Sequence, residues 1–120
     1  MTTLPTALIV EDDPQLNHLF GVTLKSQFDV TQVHDGLDAL SFLEQHTPDL
    51  IVLDMNLPGT PGPKILAHVR ADARFAQTRV ILATADAQQA DILSEDADIV
   101  LLKPISPAQL RELAGRLITK

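Results

Sequence analysis

Residues 50–54 read LIVLD, four consecutive apolar side chains that end in the carboxylate of Asp54. An apolar run this short, without alternating polar residues, is typical of a strand that is buried on both faces of a parallel sheet. Open α/β sheets bind their ligands in the crevice beyond the carboxyl ends of the strands. The pattern therefore predicts a buried parallel strand that presents Asp54 at the ligand-binding edge of the sheet.

The beginning of the chain repeats this design. Residues 7–10 read ALIV, and three acidic residues, Glu11, Asp12 and Asp13, follow directly. If the two strands are neighbours, at least three carboxylates meet in one shallow pocket. Carboxylates at such close range repel one another unless a cation or protons neutralise them. The sequence therefore favours a site for a hard divalent metal ion.

The composition is that of one globular domain. The chain has 120 residues, of which 45% are hydrophobic, so we expect a single domain over 1–120, with a core from about 7 to 118 and no output domain. No apolar run approaches the roughly 18 residues of a membrane span. The absence of cysteine favours a cytoplasmic location. The net charge of −7 argues against direct binding of nucleic acid, which needs clustered Lys and Arg.

Strand and helix signals alternate five times along the chain. Strands are predicted at 7–11, 28–33, 50–54, 80–83 and 99–102. Helices are predicted from Pro14 with Asp13 as N-cap, around 37–43, around 65–69, at 87–93, and from Pro107 with Ser106 as N-cap. The Pro/Gly-rich run 57–63 is predicted to be a loop, and the apolar stripe of the first helix comprises Leu16, Leu19, Phe20 and Leu24. Such alternation implies right-handed crossovers, a parallel sheet and a doubly wound three-layer α/β sandwich.

Three further polar residues, Asn56, Thr84 and Lys103, fall at predicted strand ends on the same edge. Carboxylates, a hydroxyl and an ammonium at one end of a parallel sheet suit the handling of a phosphoryl group. Mg²⁺ would bridge Asp12, Asp54 and a phosphoryl oxygen, because this ion prefers few protein ligands together with phosphate and water. Lys103 would neutralise the phosphoryl charge as a mobile cation, and Thr84 could donate its hydroxyl to a phosphoryl oxygen.

Four separated motifs resemble the receiver domain of a two-component response regulator of the chemotaxis-regulator type. They are VED at 10–12, LDMNLPG at 53–59, ATA at 83–85 and LKP at 102–104, and the resemblance extends from 7 to 117. It implies a flavodoxin-like (βα)5 sandwich with the strand order 2-1-3-4-5. It also implies a signalling protein that catalyses its own phosphorylation and dephosphorylation, rather than an enzyme in the usual sense.

The resemblance assigns a role to each residue of the cluster. Asp54 would accept the phosphoryl group as an acyl phosphate, and Asp12 would ligate Mg²⁺ directly. Glu11 would assist through a metal-bound water, and the backbone carbonyl of Asn56 would be the third protein ligand. Thr84 would be the hydroxyl that moves towards the phosphoryl group. The implied phosphodonor is a histidine kinase or a phosphotransfer protein.

The same resemblance implies that Lys103 pairs with the phosphoryl group and that Pro104 shapes the following loop in a cis peptide. The switch region would comprise Thr84, Ala85, Val100 and Pro104. Here the chain departs from the family, because Val100 stands where an aromatic residue is usual and residues 96–98 read DAD instead of GAD.

These departures lie on the usual output face, which runs over helix four, strand five and helix five. Strand five is apolar on both faces, which predicts that another element or molecule covers it. We therefore expect a downstream protein target or a self-dimer at this face, without contact to a membrane.

Hydrolysis of the phosphoform is predicted to depend on Asn56 and Asp86, which lie two residues beyond Asp54 and Thr84 respectively. An amide and a carboxylate there could orient the attacking water, and the small Ala85 leaves access open. These positions predict a phosphoform that lasts minutes or less.

Two alternatives stay open for the function. A pseudo-receiver that only binds partners is expected to lack the acceptor, a metal ligand or the lysine, and all of these are present. An aspartyl-nucleophile phosphatase of the haloacid dehalogenase type needs a second acid two residues after the nucleophile, where this chain has Asn56. A flavodoxin-like electron carrier is disfavoured, because the chain has no Trp or Tyr and residues 11–13 are acidic. The four histidines share no ligand spacing and receive no role.

Overall fold

A computed structural model describes residues 3–93 and 95–118, over which five β-strands alternate with five α-helices. The strands are β1 (Thr6–Val10), β2 (Asp29–Val33), β3 (Leu50–Asp54), β4 (Arg79–Thr84) and β5 (Ile99–Leu102). The helices are α1 (Pro14–Leu24), α2 (Gly36–Gln45), α3 (Gly62–Ala71), α4 (Ala87–Leu93) and α5 (Pro107–Ile118), and a short 3-10 turn (Ala73–Phe75) precedes β4. No helix among these described residues is both long enough and apolar enough to cross a bilayer.

The predicted bounds are confirmed for β3, α4 and β5 and need small corrections elsewhere. Glu11 lies just beyond β1 rather than within it. The predicted loop over 57–63 is too long, because α3 already begins at Gly62. The 3-10 turn before β4 was not predicted, since three residues are too few to leave a periodic apolar pattern.

All five strands are parallel and lie in the predicted order β2-β1-β3-β4-β5. Val10 pairs with Leu53, Asp54 pairs with Ala83, and Thr84 pairs with Leu102. Because these neighbours end in register, the residues that follow β1, β3, β4 and β5 meet at one edge of the sheet.

Each face of the sheet carries its own apolar core. Leu50 and Val52 of β3 belong to one core, and Ile51 and Leu53 belong to the other, as the two-residue period of a strand requires. Residues of α1 and α5 complete the first core, and residues of α2 and α3 complete the second. Each fully buried Leu or Ile contributes about 1.5–3 kcal/mol. This burial of β3 on both sides explains why its sequence shows no polar alternation.

The predicted helix caps are present. Asp13 accepts hydrogen bonds from the backbone N–H groups of Gln15 (2.9 Å) and Leu16 (3.3 Å), and Pro14 occupies the first turn of α1. Ser106 Oγ accepts one from Gln109 N at 3.3 Å at the beginning of α5. The prediction for the apolar stripe of α1 is wrong at Leu19, which is 38% exposed, because Leu19 is turned about 100° around the helix axis from the buried Phe20.

Candidate functional site

The ends of β1 and β3 bring three acidic side chains together. Glu11, Asp12 and Asp54 each place a carboxylate oxygen within 4.8 Å of the other two. Glu11 and Asp54 are buried, whereas Asp12 is exposed at the rim of the cluster. In the part of the chain that the structure describes, this is the one group of His, Asp and Glu side chains that could hold a metal ion. The cluster is therefore a narrow acidic cleft that opens to solvent beside Asp12.

Lys103, directly after β5, reaches into this cleft. Its Nζ lies 3.1 Å from Glu11 Oε1 and 3.2 Å from Asp54 Oδ1. The backbone N–H of Lys103 donates to the carbonyl of Thr84 at 2.8 Å, which fixes the end of β5 against the end of β4. The Lys103–Pro104 peptide is cis, as the resemblance implied. One ammonium therefore forms ion pairs with two buried carboxylates.

The two buried carboxylates have few other hydrogen-bond donors. Asp13 N donates to Glu11 Oε2 at 3.1 Å, and Asn56 N donates to Asp54 Oδ1 at 3.3 Å. Glu11 Oε1 is fully buried and, among the described residues, has no hydrogen bond of good geometry beyond its ion pair with Lys103. The one ammonium near this oxygen is shared with Asp54, so a cation in the cleft would compensate the remaining negative charge of the two buried carboxylates.

Burial shifts the ionisation of the whole cluster. Burial, with a smaller contribution from the charge of Asp54, raises the pKa of Glu11 to about 7, although hydrogen bonds from Asp13 and Lys103 oppose the shift. Burial also raises the pKa of Asp54 against the opposing charge of Lys103. Burial alone would lower the pKa of Lys103, but the hydrogen bond to Glu11 and the charge of Asp54 outweigh burial and raise it. The cleft is therefore short of positive charge at neutral pH.

Thr84, the last residue of β4, is buried, and its hydroxyl is bonded to the loop and helix that follow. Thr84 Oγ1 donates to Gln89 Oε1 at 3.0 Å and accepts from Asp86 N at 3.1 Å. Asp86 in turn caps α4, because its Oδ1 accepts from Gln88 N (2.9 Å) and Gln89 N (3.3 Å). The hydroxyl that was predicted to contact a phosphoryl group is thus committed to a residue of α4.

Neither the contact of Gln89 nor the capping role of Asp86 was predicted from the sequence. An aspartate just before the predicted first residue of a helix is a common N-cap signal, so the cap could have been found. The contact between Thr84 and Gln89 left no comparable signal.

The remaining residues named from the sequence differ in their burial. Asn56, Ala85, Asp86 and Pro104 are exposed. Val100 is half-buried and packs against the second core, where it replaces the aromatic ring of the family pattern. The four histidines, His18, His34, His46 and His68, are exposed and lie outside the acidic group.

Gly62, at the beginning of α3, is a further residue next to the site that was not predicted from the sequence. A Cβ atom there would lie 2.4 Å from the backbone oxygen of Asp54 and 2.7 Å from Met55 Cα, far inside van der Waals contact. Gly62 N also donates to the carbonyl of Met55 at 3.2 Å. The absence of a side chain lets α3 pack directly against the loop that carries Asp54 and Asn56.

Residues 7–114 match the protein family described as the response regulator receiver domain. The chain belongs to this family. The receiver domain is also similar to the DNA-binding response regulator MtrA of Mycolicibacterium smegmatis, with 33% identity over 107 residues, which are 86% of this chain and 46% of MtrA. It shares 35% identity over 119 residues with the transcriptional regulatory protein BaeR of Escherichia coli, covering 96% of this chain and 47% of BaeR. The chain therefore spans about half the length of these relatives.

Solved structures agree with this membership. The receiver domain of the sensor histidine kinase PA1611 from Pseudomonas aeruginosa, which has a magnesium ion coordinated in its active site cleft, is 30% identical, with a TM-score of 0.87. That comparison covers 98% of this receiver domain and 100% of the other chain. The signal receiver domain of a LuxO repressor protein from Vibrio parahaemolyticus is also 30% identical, with a TM-score of 0.87 and coverage of 96% and 90%. The predicted flavodoxin-like receiver fold is confirmed.

Proposed function

We propose that this receiver domain accepts a phosphoryl group on Asp54 from a histidine kinase or a phosphotransfer protein, in a Mg²⁺-dependent reaction, and signals by a change of conformation. The observation that carries the proposal is the buried carboxylate of Asp54 at a strand end, with Lys103 Nζ at 3.2 Å and two further carboxylates beside it. The test is the incorporation of one phosphoryl group in the presence of Mg²⁺, with Asp54→Asn as the variant that cannot react.

The donor set suits Mg²⁺, which prefers oxygen ligands and retains several waters. Asp12 and Asp54 would hold the ion together with the backbone carbonyl of Asn56, and Glu11 would contact one of its waters. The bound ion would supply positive charge next to the transferring phosphoryl oxygens. A magnesium ion in the cleft of the PA1611 receiver supports this assignment.

Asp54 is the nucleophile in this proposal. Asn56 N and Lys103 Nζ both contact Oδ1, which leaves Oδ2 for attack on phosphorus. A new P–O bond forms as the P–N bond of the phosphohistidine breaks, and the electrons of the broken bond stay on the imidazole nitrogen. Lys103 then pairs with a phosphoryl oxygen. Burial of Asp54 excludes competing water from the attacking oxygen.

The conformational change would begin at Thr84. A hydroxyl has a single hydrogen, and this one is donated to Gln89 Oε1. A bond from Thr84 to a phosphoryl oxygen therefore releases Gln89 and loosens the connection between the acidic cleft and α4. With Val100 in place of an aromatic residue, this release replaces the movement of a ring.

The output of that movement would appear on the face formed by α4, β5 and α5. Ile92 of α4 is 78% exposed and Leu102 of β5 is 50% exposed, so both elements offer apolar surface to a partner. A downstream protein or a second copy of the chain would cover them. The net charge of −7 supports a protein partner rather than direct contact with nucleic acid.

A cytoplasmic location stays a prediction, and so does the assignment of 1–120 to a single domain.

Hydrogen exchange should locate this change. With Mg²⁺ and beryllofluoride, an analogue of the phosphoryl group, we expect altered exchange in peptides from 85–102 as well as in the loop after Asp54. In Gln89→Leu, the segment should already exchange faster before ligand is added, because one of the two hydrogen bonds between Thr84 and the beginning of α4 is lost. A single hydrogen bond is worth about 1 kcal/mol, so the shift should be about fivefold. Changes confined to the loop after Asp54 would contradict this switch.

The lifetime of the phosphoform should depend on Asn56 and Asp86. We expect Asn56→Leu and Asp86→Leu each to lengthen it, and the double variant to lengthen it by about tenfold or more, because the attacking water loses its orienting groups. Decay of the phosphorylated species can be followed by intact-mass measurement. Since Asp86 also caps α4, Asp86→Ser is the matched control: serine keeps the cap but removes the carboxylate. A normal lifetime in the double variant would remove both residues from the hydrolysis step.

A further inference from the structure

Asn17 is a polar side chain of α1 that is almost completely buried, with 1% of its surface exposed. Its Nδ2 donates two hydrogen bonds, both of 2.9 Å, to the carbonyls of Glu11 and Val33. Val33 ends β2, and its carbonyl also accepts a hydrogen bond from Glu11 N at 3.2 Å. Asn17 therefore connects Glu11, the first of the three acidic residues after β1, to the end of β2.

Gln32 of β2 fixes the orientation of that amide. Gln32 Nε2 donates to Asn17 Oδ1 at 2.6 Å and to the Asn17 backbone oxygen at 2.7 Å. Because Asn17 Oδ1 accepts from Gln32, the NH₂ group of Asn17 must point towards Glu11 and Val33. The two side chains act as one hydrogen-bonded pair.

Gly21 provides the space for this pair. A Cβ atom at Gly21 would lie 2.5 Å from Gln32 Nε2 and 2.7 Å from Gln32 Cδ. Any larger residue at this position of α1 would displace the Gln32 side chain. The glycine, the glutamine and the asparagine thus depend on one another, although they lie in different elements.

We propose that Asn17 and Gln32 are positioning residues for the metal site, in addition to their structural role; this inference rests on the proposed function. The Glu11 carbonyl belongs to the peptide that joins Glu11 to Asp12. Holding that carbonyl restricts ψ of Glu11 and φ of Asp12, and so sets the directions in which both carboxylates leave the backbone. The amide pair thereby presents Glu11 and Asp12 to Asp54 without touching the metal ion.

Mg²⁺ affinity separates this role from a purely structural one. We expect Gln32→Met to weaken Mg²⁺ binding several-fold and Asn17→Ala to weaken it by about tenfold, in the range found when groups that orient metal ligands are removed. Gly21→Ala should weaken binding as Gln32→Met does, although alanine favours the helix. Because Gly21→Ala and Gln32→Met remove the same contact, their effects should not add. Calorimetric titration of the folded proteins with MgCl₂ measures these three variants and the double variant Gly21→Ala/Gln32→Met.

Thr78→Val is the matched control. It removes another buried hydrogen bond, from Thr78 Oγ1 to the carbonyl of Pro48 at 2.8 Å, at the opposite edge of the sheet. Its stability should fall, as in Asn17→Ala, whereas its Mg²⁺ affinity should stay that of the wild type. Wild-type affinity in Gln32→Met and Gly21→Ala would overturn the positioning role, even if Asn17→Ala fails to fold. A wild-type chain that does not bind Mg²⁺ would instead overturn the proposed function, and this inference with it.

Discussion

Asp54→Asn is expected to reduce phosphoryl incorporation to background while the chain stays folded. The amide is a far weaker nucleophile than a carboxylate and cannot form the acyl phosphate. The other acidic residues of the site, Glu11 and Asp12, follow β1, whereas Asp54 ends β3 with Lys103 Nζ on its Oδ1. In the presence of acetyl phosphate and Mg²⁺, intact-mass measurement should show one added phosphoryl group on the wild type and none on Asp54→Asn.

Asp13→Asn is the control for this experiment. It removes a carboxylate next to the cluster but keeps an N-cap for α1, so labelling should be normal. Without Mg²⁺, Asp54→Asn should also raise the free energy of unfolding at pH 8, because Glu11 and Lys103 then form a simple ion pair. Phosphorylation of Asp54→Asn at the wild-type level on another residue would refute the assignment of the acceptor.

The architecture was predictable because two independent signals agree in this chain. The run LIVLD identifies a strand with no solvent-facing side, and the spacing of the other apolar runs leaves room for one helix between successive strands. A parallel sheet then aligns the strand ends, so the meeting of Glu11, Asp54 and Lys103 follows from topology. The register of β1, β3, β4 and β5 bears out that reasoning.

The contacts that orient the site were not predictable in the same way. Asn17 and Gln32 come from different elements, and the pair forms only when α1 packs beside β2. Nothing in the local sequence distinguishes a buried asparagine from an exposed one on an amphipathic helix. Gly62 is similar, since its importance lies in the backbone oxygen that it approaches. The contacts of these residues depend on distances between elements in the folded chain, which cannot be read from sequence patterns.

Strand five illustrates a partial success. Its four apolar residues predict a strand that is covered on both sides, and β5 is an edge strand in which Leu101 is buried while Leu102 is 50% exposed. The apolar pattern indicates that the strand has apolar surroundings, but it does not identify the element or molecule that provides them. The described residues leave Leu102 half exposed, so cover for this side of the strand stays a prediction.

Lys103→Met should have the largest effect on stability, and this effect should depend on pH. In the wild type the single ammonium lies 3.1 Å from Glu11 and 3.2 Å from Asp54, and offsets part of the charge of these two buried carboxylates. Methionine has a similar length without the charge, so Glu11 and Asp54 face each other in a low-dielectric cleft. Removal of one partner from a buried ion pair costs about 3–5 kcal/mol when the other partner stays charged. Protonation of the carboxylates can avoid part of that cost.

The sign of the pH dependence follows from the direction of the pKa shifts. A carboxyl whose pKa is raised on folding contributes stability that is fully present below its unfolded pKa and is lost as the pH rises through its folded pKa. Glu11 already has a pKa raised to about 7 by burial, and the loss of Lys103 removes a group that lowers it. We therefore expect Lys103→Met to resemble the wild type near pH 4.5 and to lose about 3 kcal/mol by pH 8. Urea denaturation across this range measures the difference.

Mg²⁺ provides the decisive comparison for Lys103. At pH 8, millimolar MgCl₂ should restore a large part of the stability of Lys103→Met, because a divalent ion between the same carboxylates replaces the missing charge. Phosphorylation should stay strongly reduced, since the variant lacks the ammonium that would pair with the phosphoryl group. Arg116→Met, at an exposed ion pair with Glu112, is the control and should change stability little at either pH. An equal loss of stability at pH 4.5 and pH 8 would show that Lys103 acts through packing. It would also mean that the cleft does not hold the uncompensated negative charge on which the proposed metal binding and phosphoryl transfer depend.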